Sequence, residues 1–239
     1  MKNFAILAAL TTAAALHYNA GQPVLTLRLG ARDDNDRRRY ITITLTGEMA
    51  KRYAGLSKAQ GVALEGHFQA TEYDTVLVVD SIKLAALEIE LIEGQGLVAS
   101  SGYMKATLSG NLGSKAEVKA IPSKDGGQVR SVAEVSLAAT VNRRAGDGWV
   151  SDSAWVRLSA WDNTSALLAD CEKGQGLHVE GTLSARSYTD SAGRNRTGLK
   201  VEVVRLLKLA RAPKLEQPEA EAVVVPVKSR SRSRSAAAS

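Results

Sequence analysis

The chain has a single cysteine, Cys171, and only three histidines, so it can close no intrachain disulfide and is poor material for a zinc site built from several nitrogen and sulfur ligands. A reducing compartment fits this usage. The excess of one sign of charge is small as well: 31 Lys and Arg against 25 Asp and Glu leave a net charge of +6. Half of it sits in residues 211–239, where six basic residues face three acids. Residues 1–210 are therefore only mildly basic, and a site for a polyanion must come from local arrangement of charge. The one conspicuous apolar run near the start, Phe4 to Leu10, is too short to span a bilayer. Residues 1–16 look like a secretory leader, but Thr11-Thr12 interrupts the run, and the repeat below makes these residues a buried first strand instead.

Catalysis needs convergent groups of matched pKa, and none assemble in the sequence. Asp33, Asp34 and Asp36 lie among Arg32 and Arg37 to Arg39, which reads as a solvated, internally neutralised loop. Cys171 has no neighbouring histidine, His17, His67 and His178 occupy unrelated positions, and Gly174-Gln-Gly176 lacks the further glycine and helix of a dinucleotide loop. No catalytic residue, metal or cofactor is expected, and the chain reads as a non-enzyme.

Comparing the chain with itself decides the architecture. Lys58-Ala-Gln-Gly-Val-Ala-Leu-Glu-Gly-His-Phe-Gln-Ala70 matches Lys173-Gly-Gln-Gly-Leu-His-Val-Glu-Gly-Thr-Leu-Ser-Ala185 at a shift of 115 positions. Val24 to Ala31 lies on Val132 to Ala139, and Ile6 to Leu16 on Leu108 to Val118. Downstream, Val76 to Leu84 lies on Val201 to Leu209 at a shift of 125, which gives the second copy ten extra residues. Period-two alternations such as Ile41/Ile43/Leu45 and Val156/Leu158 mark strands, and Gly47 to Leu56 and Asn163 to Glu172 mark one helix per copy. Five strands with a helix between the third and fourth describe an oligonucleotide-binding barrel. The expected fold is all-β with short helices. Its organisation is barrel one at 1–92, a linker at 93–102, barrel two at 103–210, and a disordered Ser/Arg tail at 211–239.

All three tryptophans fall in copy two, within thirteen positions. Trp155, Arg157 and Trp161 share strand parity, and a face of Trp, Arg and Trp suits nucleobase stacking beside phosphate. Trp149 lies next to the loop Gly146-Asp147-Gly148, with Arg143 and Arg144 on its other side. The added residues form a hairpin, Arg186 to Lys200, carrying Tyr188, Arg194 and Arg196, an arm able to close over a bound strand. Copy one places Tyr40 opposite Trp155 and Tyr73 opposite Tyr188, has Thr46 where copy two has Trp161, and should bind more weakly.

Met104 to Val118, Trp155-Val-Arg-Leu-Ser-Ala-Trp161, Lys173 to Leu183 and Tyr188-Thr-Asp-Ser-Ala-Gly193 together resemble bacterial single-stranded DNA-binding proteins, in the form with two oligonucleotide-binding folds per chain. The resemblance implies stacking on Trp155, Trp161 and Tyr188, with Tyr40 and Tyr73 as partial counterparts. It also implies a homodimer presenting four folds, a place in the cytoplasm on the nucleoid, and work in replication, recombination and repair. The sequence departs from the family's pattern at its end, where Lys228 and alternating Ser and Arg before Ala-Ala-Ala-Ser239 stand in place of the family's acidic tip, so recruitment of replication and repair proteins through such a tip is not expected. A different class of function competes with this one, a barrel adaptor that docks proteins, as in replication restart, and meets nucleic acid only incidentally.

Overall fold

The computed structural model describes residues 3–210 except 34–35, 72–74, 123–127, 146–147, 190–192 and 194; side chains of 140–145, 149–152, 186–189 and 195–197 also lie outside the described residues. The first stretch runs β1 (Phe4–Leu10), β2 (Ala15–Asn19), β3 (Gln22–Arg32), β4 (Arg38–Thr46), α1 (Gly47–Arg52), β5 (Gly61–Ala70) and β6 (Thr75–Ala85). A hairpin of β7 (Ile89–Ile92) and β8 (Gly96–Ala99) follows. The second stretch repeats the plan with β9 (Tyr103–Leu112), β10 (Glu117–Ile121), β11 (Arg130–Ala145), β12 (Gly148–Trp161), α2 (Asp162–Ala169), β13 (Gly176–Thr189) and β14 (Asn195–Lys208). β1 with β2, and β9 with β10, are each one interrupted strand, so each stretch is a five-stranded barrel with its helix between the third and fourth strands.

Alternation explains which face each strand buries. On β4, Ile41, Ile43 and Leu45 point into the first barrel while Thr42, Thr44 and Thr46 stay outside. On β12, Ala154, Val156, Leu158 and Ala160 are buried in the second. Both helices stop sooner than their periodicity suggests, α1 at Arg52 and not Leu56, α2 at Ala169 and not Glu172. In each case the chain turns out of the helix so that the residue beyond it, Leu56 or Cys171, enters the core. Those two positions are 115 apart, like the matched peptides around them. Burial raises the pKa of the Cys171 thiol, whose S–H donates to the Leu167 carbonyl at 3.2 Å.

The repeated Glu-Gly dipeptide has a physical cause. The β5–β6 ladder shifts register between Glu65 and Gly66, and the β13–β14 ladder does so between Glu180 and Gly181. A Cβ on Gly66 would lie 2.0 Å from the Val78 carbonyl oxygen, and one on Gly181 would lie 2.2 Å from that of Glu202. Each bulge brings two backbones together where only glycine fits. The bulges also correct the alignment of the last strands. Gly66 faces Val79 and Gly181 faces Val203, so β6 maps onto β14 at a shift of 124, not 125, and the second copy carries nine extra residues. With this register Leu77 and Val79 fall on Val201 and Val203, all buried. A slip of one position had kept the valine-rich look of both strands but exchanged their faces.

β1 pairs antiparallel with β9, joining the barrels into one sheet in the order β6-β5-β1-β9-β13-β14. Phe4 faces Ala106, its own counterpart at a shift of 102, so an approximate two-fold axis passes through that pair. One hydrophobic cluster extends from Phe4 and Ile6 through Met104 and Leu108 to Val201. Between the barrels, where the sequence suggests a linker at 93–102, Gly96–Ala99 forms β8, because Leu97, Val98 and Ala99 are apolar and bury against the first barrel, with Ala99 facing Ala31 on β3.

Candidate nucleic-acid interface

The long β11–β12 hairpin sets Trp155 opposite Ala138, Arg157 opposite Ser136, Ser159 opposite Glu134 and Trp161 opposite Val132. With the intervening residues buried, this face points out of the barrel. Trp155 is 55% exposed. Its ring lies over Gly113, where an added Cβ would come within 2.6 Å of it. A large indole held flat and open to solvent is an unusual surface expense unless it stacks on something.

Trp161 behaves differently. The Arg130 guanidinium sits 4.9 Å from its ring centroid and donates to Asp162 from Nε at 3.0 Å and from Nη2 at 2.7 Å. Hydrogen bonding from Arg130 holds the Asp162 carboxyl below its usual range. One face of Trp161 is thus already covered by a cation, and Arg130 was not among the residues singled out by sequence. The signal available was a lone arginine opening the strand that faces Trp161.

The cations of this face are likewise engaged. Lys200 is brought next to Arg157 by the parallel β12–β14 pairing. Glu134, only 11% exposed, receives Lys200 Nζ at 3.2 Å, with Arg157 Nη2 at 3.5 Å and Lys119 Nζ at 3.8 Å. Burial pushes the Glu134 pKa up, but hydrogen bonding and charge from Lys200 and Arg157 outweigh it, and the net shift is downward. Beneath them the Ser159 hydroxyl and Arg157 Nε are buried with no hydrogen-bond partner among the described residues. The ladder places Glu134 on the outward face opposite Ser159, and three cations converge on it from three strands.

The first barrel carries the equivalent face on β3 and β4. Tyr40, 37% exposed, stands opposite Gly30 where Trp155 stands opposite Ala138. Thr42, Thr44 and Thr46 replace Arg157, Ser159 and Trp161, and Thr26 replaces Glu134. Arg28 is exposed and has no ion pair among the described residues. Among the described residues no ladder joins β4 to β6, and a groove of about 1030 Å³ opens there, lined by Tyr40, Thr42, Thr44, Val76 and Val78 and reached by Leu199 of the second barrel.

The arginine-rich turn does more than neutralise itself. Arg39 pairs with Asp33 at 2.9 Å and reaches Glu202 of β14 at 2.8 Å; Arg37 reaches the same carboxylate at 2.6 Å. Arg32 holds Asp36 and, from the other side, Glu90 of β7. This turn therefore clamps the first barrel onto the second, and Thr75 Oγ1 adds a hydrogen bond to the Trp155 carbonyl at 2.9 Å.

Among the other expected contacts, Tyr73 and Arg194 lie outside the described residues, as do the side chains of Trp149, Arg143, Arg144, Arg186, Tyr188 and Arg196. Their backbone register is known for most: Arg144 faces Trp149, Arg143 faces Val150, Tyr188 faces Arg196, and Arg186 faces Gly198.

Residues 103–209, from the start of β9 through the end of β14, match the model of the single-strand binding protein family. The match takes in the second barrel and stops short of the first. Over a longer span the chain is 26% identical across 229 residues to the single-stranded DNA-binding protein of Thermus thermophilus, covering 87% of this chain and 84% of that one. The counterpart from Thermus aquaticus is 26% identical across 186 residues, covering 73% and 68%. The crystal structure of wild-type single-stranded DNA binding protein from Thermus aquaticus superposes with a TM-score of 0.62 at 22% identity, covering 89% of this chain and 95% of that one. That likeness concerns the fold and takes in both barrels, including the first, which the single-strand binding family model leaves out.

Proposed function

We propose that the protein coats and protects single-stranded DNA in replication, recombination and repair, without catalysis and without strong sequence preference. The observation that carries this reading is the Trp155 indole, exposed on a strand of the barrel that matches the single-strand binding protein family model. Bases stack on Trp155 and on the side of Trp161 away from Arg130, and Tyr188 and Trp149 extend the platform along the two long hairpins. Arg157 and Lys200 serve phosphates from the strand face, and Arg143, Arg144, Arg186, Arg194 and Arg196 from the hairpins. Tyr40 and Tyr73 continue the path over the first barrel, more weakly because a phenol offers less surface than an indole and the threonines beside Tyr40 carry no charge. Residues 1–92 and 103–210 are the two binding units, and two chains pair to present four barrels. The site of action is the nucleoid in the cytoplasm.

A fluorescence titration tests this. All three tryptophans report on the second barrel, so oligo-dT should quench most emission, and log affinity should fall with log salt by about 0.7 per phosphate neutralised. Unchanged emission at saturating oligonucleotide would refute the reading and leave the protein-docking adaptor. Mass measurement in solution should give twice the chain mass.

A further inference from the structure

The second barrel carries an acid in the middle of its proposed DNA face. Glu134 lies between the positions opposite Trp155 and Trp161, so a strand stacked on both indoles passes over it. Its two oxygens already take the groups a phosphate would seek: Oε1 takes Lys200, and Oε2 takes Arg157 and Lys119. Two buried donors lie at the same place without partners among the described residues, the Ser159 hydroxyl and Arg157 Nε. The first barrel has Thr26 at this position and no such acid. We propose that Glu134 is an internal competitor of the DNA backbone, a resident carboxylate that holds Lys119, Arg157 and Lys200 in place of phosphate and so sets how tightly, and with what salt dependence, the second barrel binds.

The inference rests on the single-strand binding reading above. A phosphate approaching the face meets a like charge a few ångströms away and must displace it from cations that would otherwise be available. Removing one negative charge at about 6 Å, at an effective dielectric constant of about 40–80 for this solvent-facing site, is a change of about three- to ten-fold in affinity. Each cation released to a phosphate adds about 0.7 to the steepness of the salt dependence for a single strand.

The test is tryptophan-quench titration of the full chain with oligo-dT at several salt concentrations. Glu134→Gln should tighten binding about three- to ten-fold at moderate salt and steepen the salt dependence by about 0.7 or more. Glu134→Thr, which imports the first barrel's residue, should do the same and serves if the glutamine variant fails to fold. Glu48→Gln on α1, an exposed acid changing net charge equally, should alter neither quantity. Unchanged or weaker binding by folded Glu134 variants would overturn the proposal while leaving the single-strand reading intact. Wild-type chain that shows no quench overturns both.

Discussion

The two barrels share a plan and differ in what they place on it. The second sets an indole on glycine, stitches its seam with the parallel β12–β14 pairing, and crowds three cations around Glu134. The first sets a phenol in the same place, lines its face with threonines, and leaves an open groove between β4 and β6. Identical strand order and matched bulges thus support two different surfaces. Barrel geometry is carried by the alternating inner residues and the Glu-Gly bulge, while the character of the exposed surface is set by the outer parity of the same strands, which can change without disturbing the core.

The largest expected effect tests whether the shared plan is the same physical device twice. Gly66→Ala and Gly181→Ala should each destabilise the chain by about 3 kcal/mol, because a Cβ must push two backbones apart at a bulge. Urea melts read this, and a variant that costs nothing would show that its bulge is dispensable. Next, Trp155→Ala should lose about 1–3 kcal/mol of oligo-dT affinity, and Tyr40→Ala less than 1 kcal/mol. Equal losses would erase the contrast between the barrels.

A smaller effect concerns how they are held together. Glu202→Gln removes the shared partner of Arg37 and Arg39 and should lower stability by about 1 kcal/mol, since the pair is only partly buried. Arg28→Gln, at an exposed cation with no ion pair among the described residues, should leave the melt unchanged. The smallest effect is acid sensitivity. The Glu134 pKa is depressed on folding, so its stabilising contribution is present above the ordinary carboxylate value of 4.5 and is lost as pH falls through the lower folded value. Between pH 6 and pH 4 the wild-type chain should lose under about 1 kcal/mol more than Glu134→Gln, read by tryptophan emission from the second barrel.

Much of this was legible in the sequence for reasons that are local. The alternation through Trp155, Arg157 and Trp161 placed their side chains outside because their neighbours Val156, Leu158 and Ala160 had to go in. The Glu-Gly pair recurred at matched positions of the repeat, and the ladders show a bulge at each. The alignment of β6 with β14 slipped by one because two valine-rich strands look alike in either register, and only the hydrogen-bond ladder tells the faces apart. The helix ends were misplaced because Leu56 and Cys171 continue the apolar period of α1 and α2 although the chain has already turned toward the core. Arg37 and Arg39 looked satisfied by their nearest aspartates, and their reach to Glu202 crosses more than 160 positions of sequence.

Sequence alone determined that this is a duplicated β-barrel chain with all three of its tryptophans in the second copy, since repetition and strand parity are properties of residue order. Tertiary structure decided the rest: that β1 meets β9 to fuse the barrels, that Arg130 covers one face of Trp161, and that Lys119, Arg157 and Lys200 converge on Glu134. Charges act through space, and which of them become neighbours is settled only when separate strands are laid side by side.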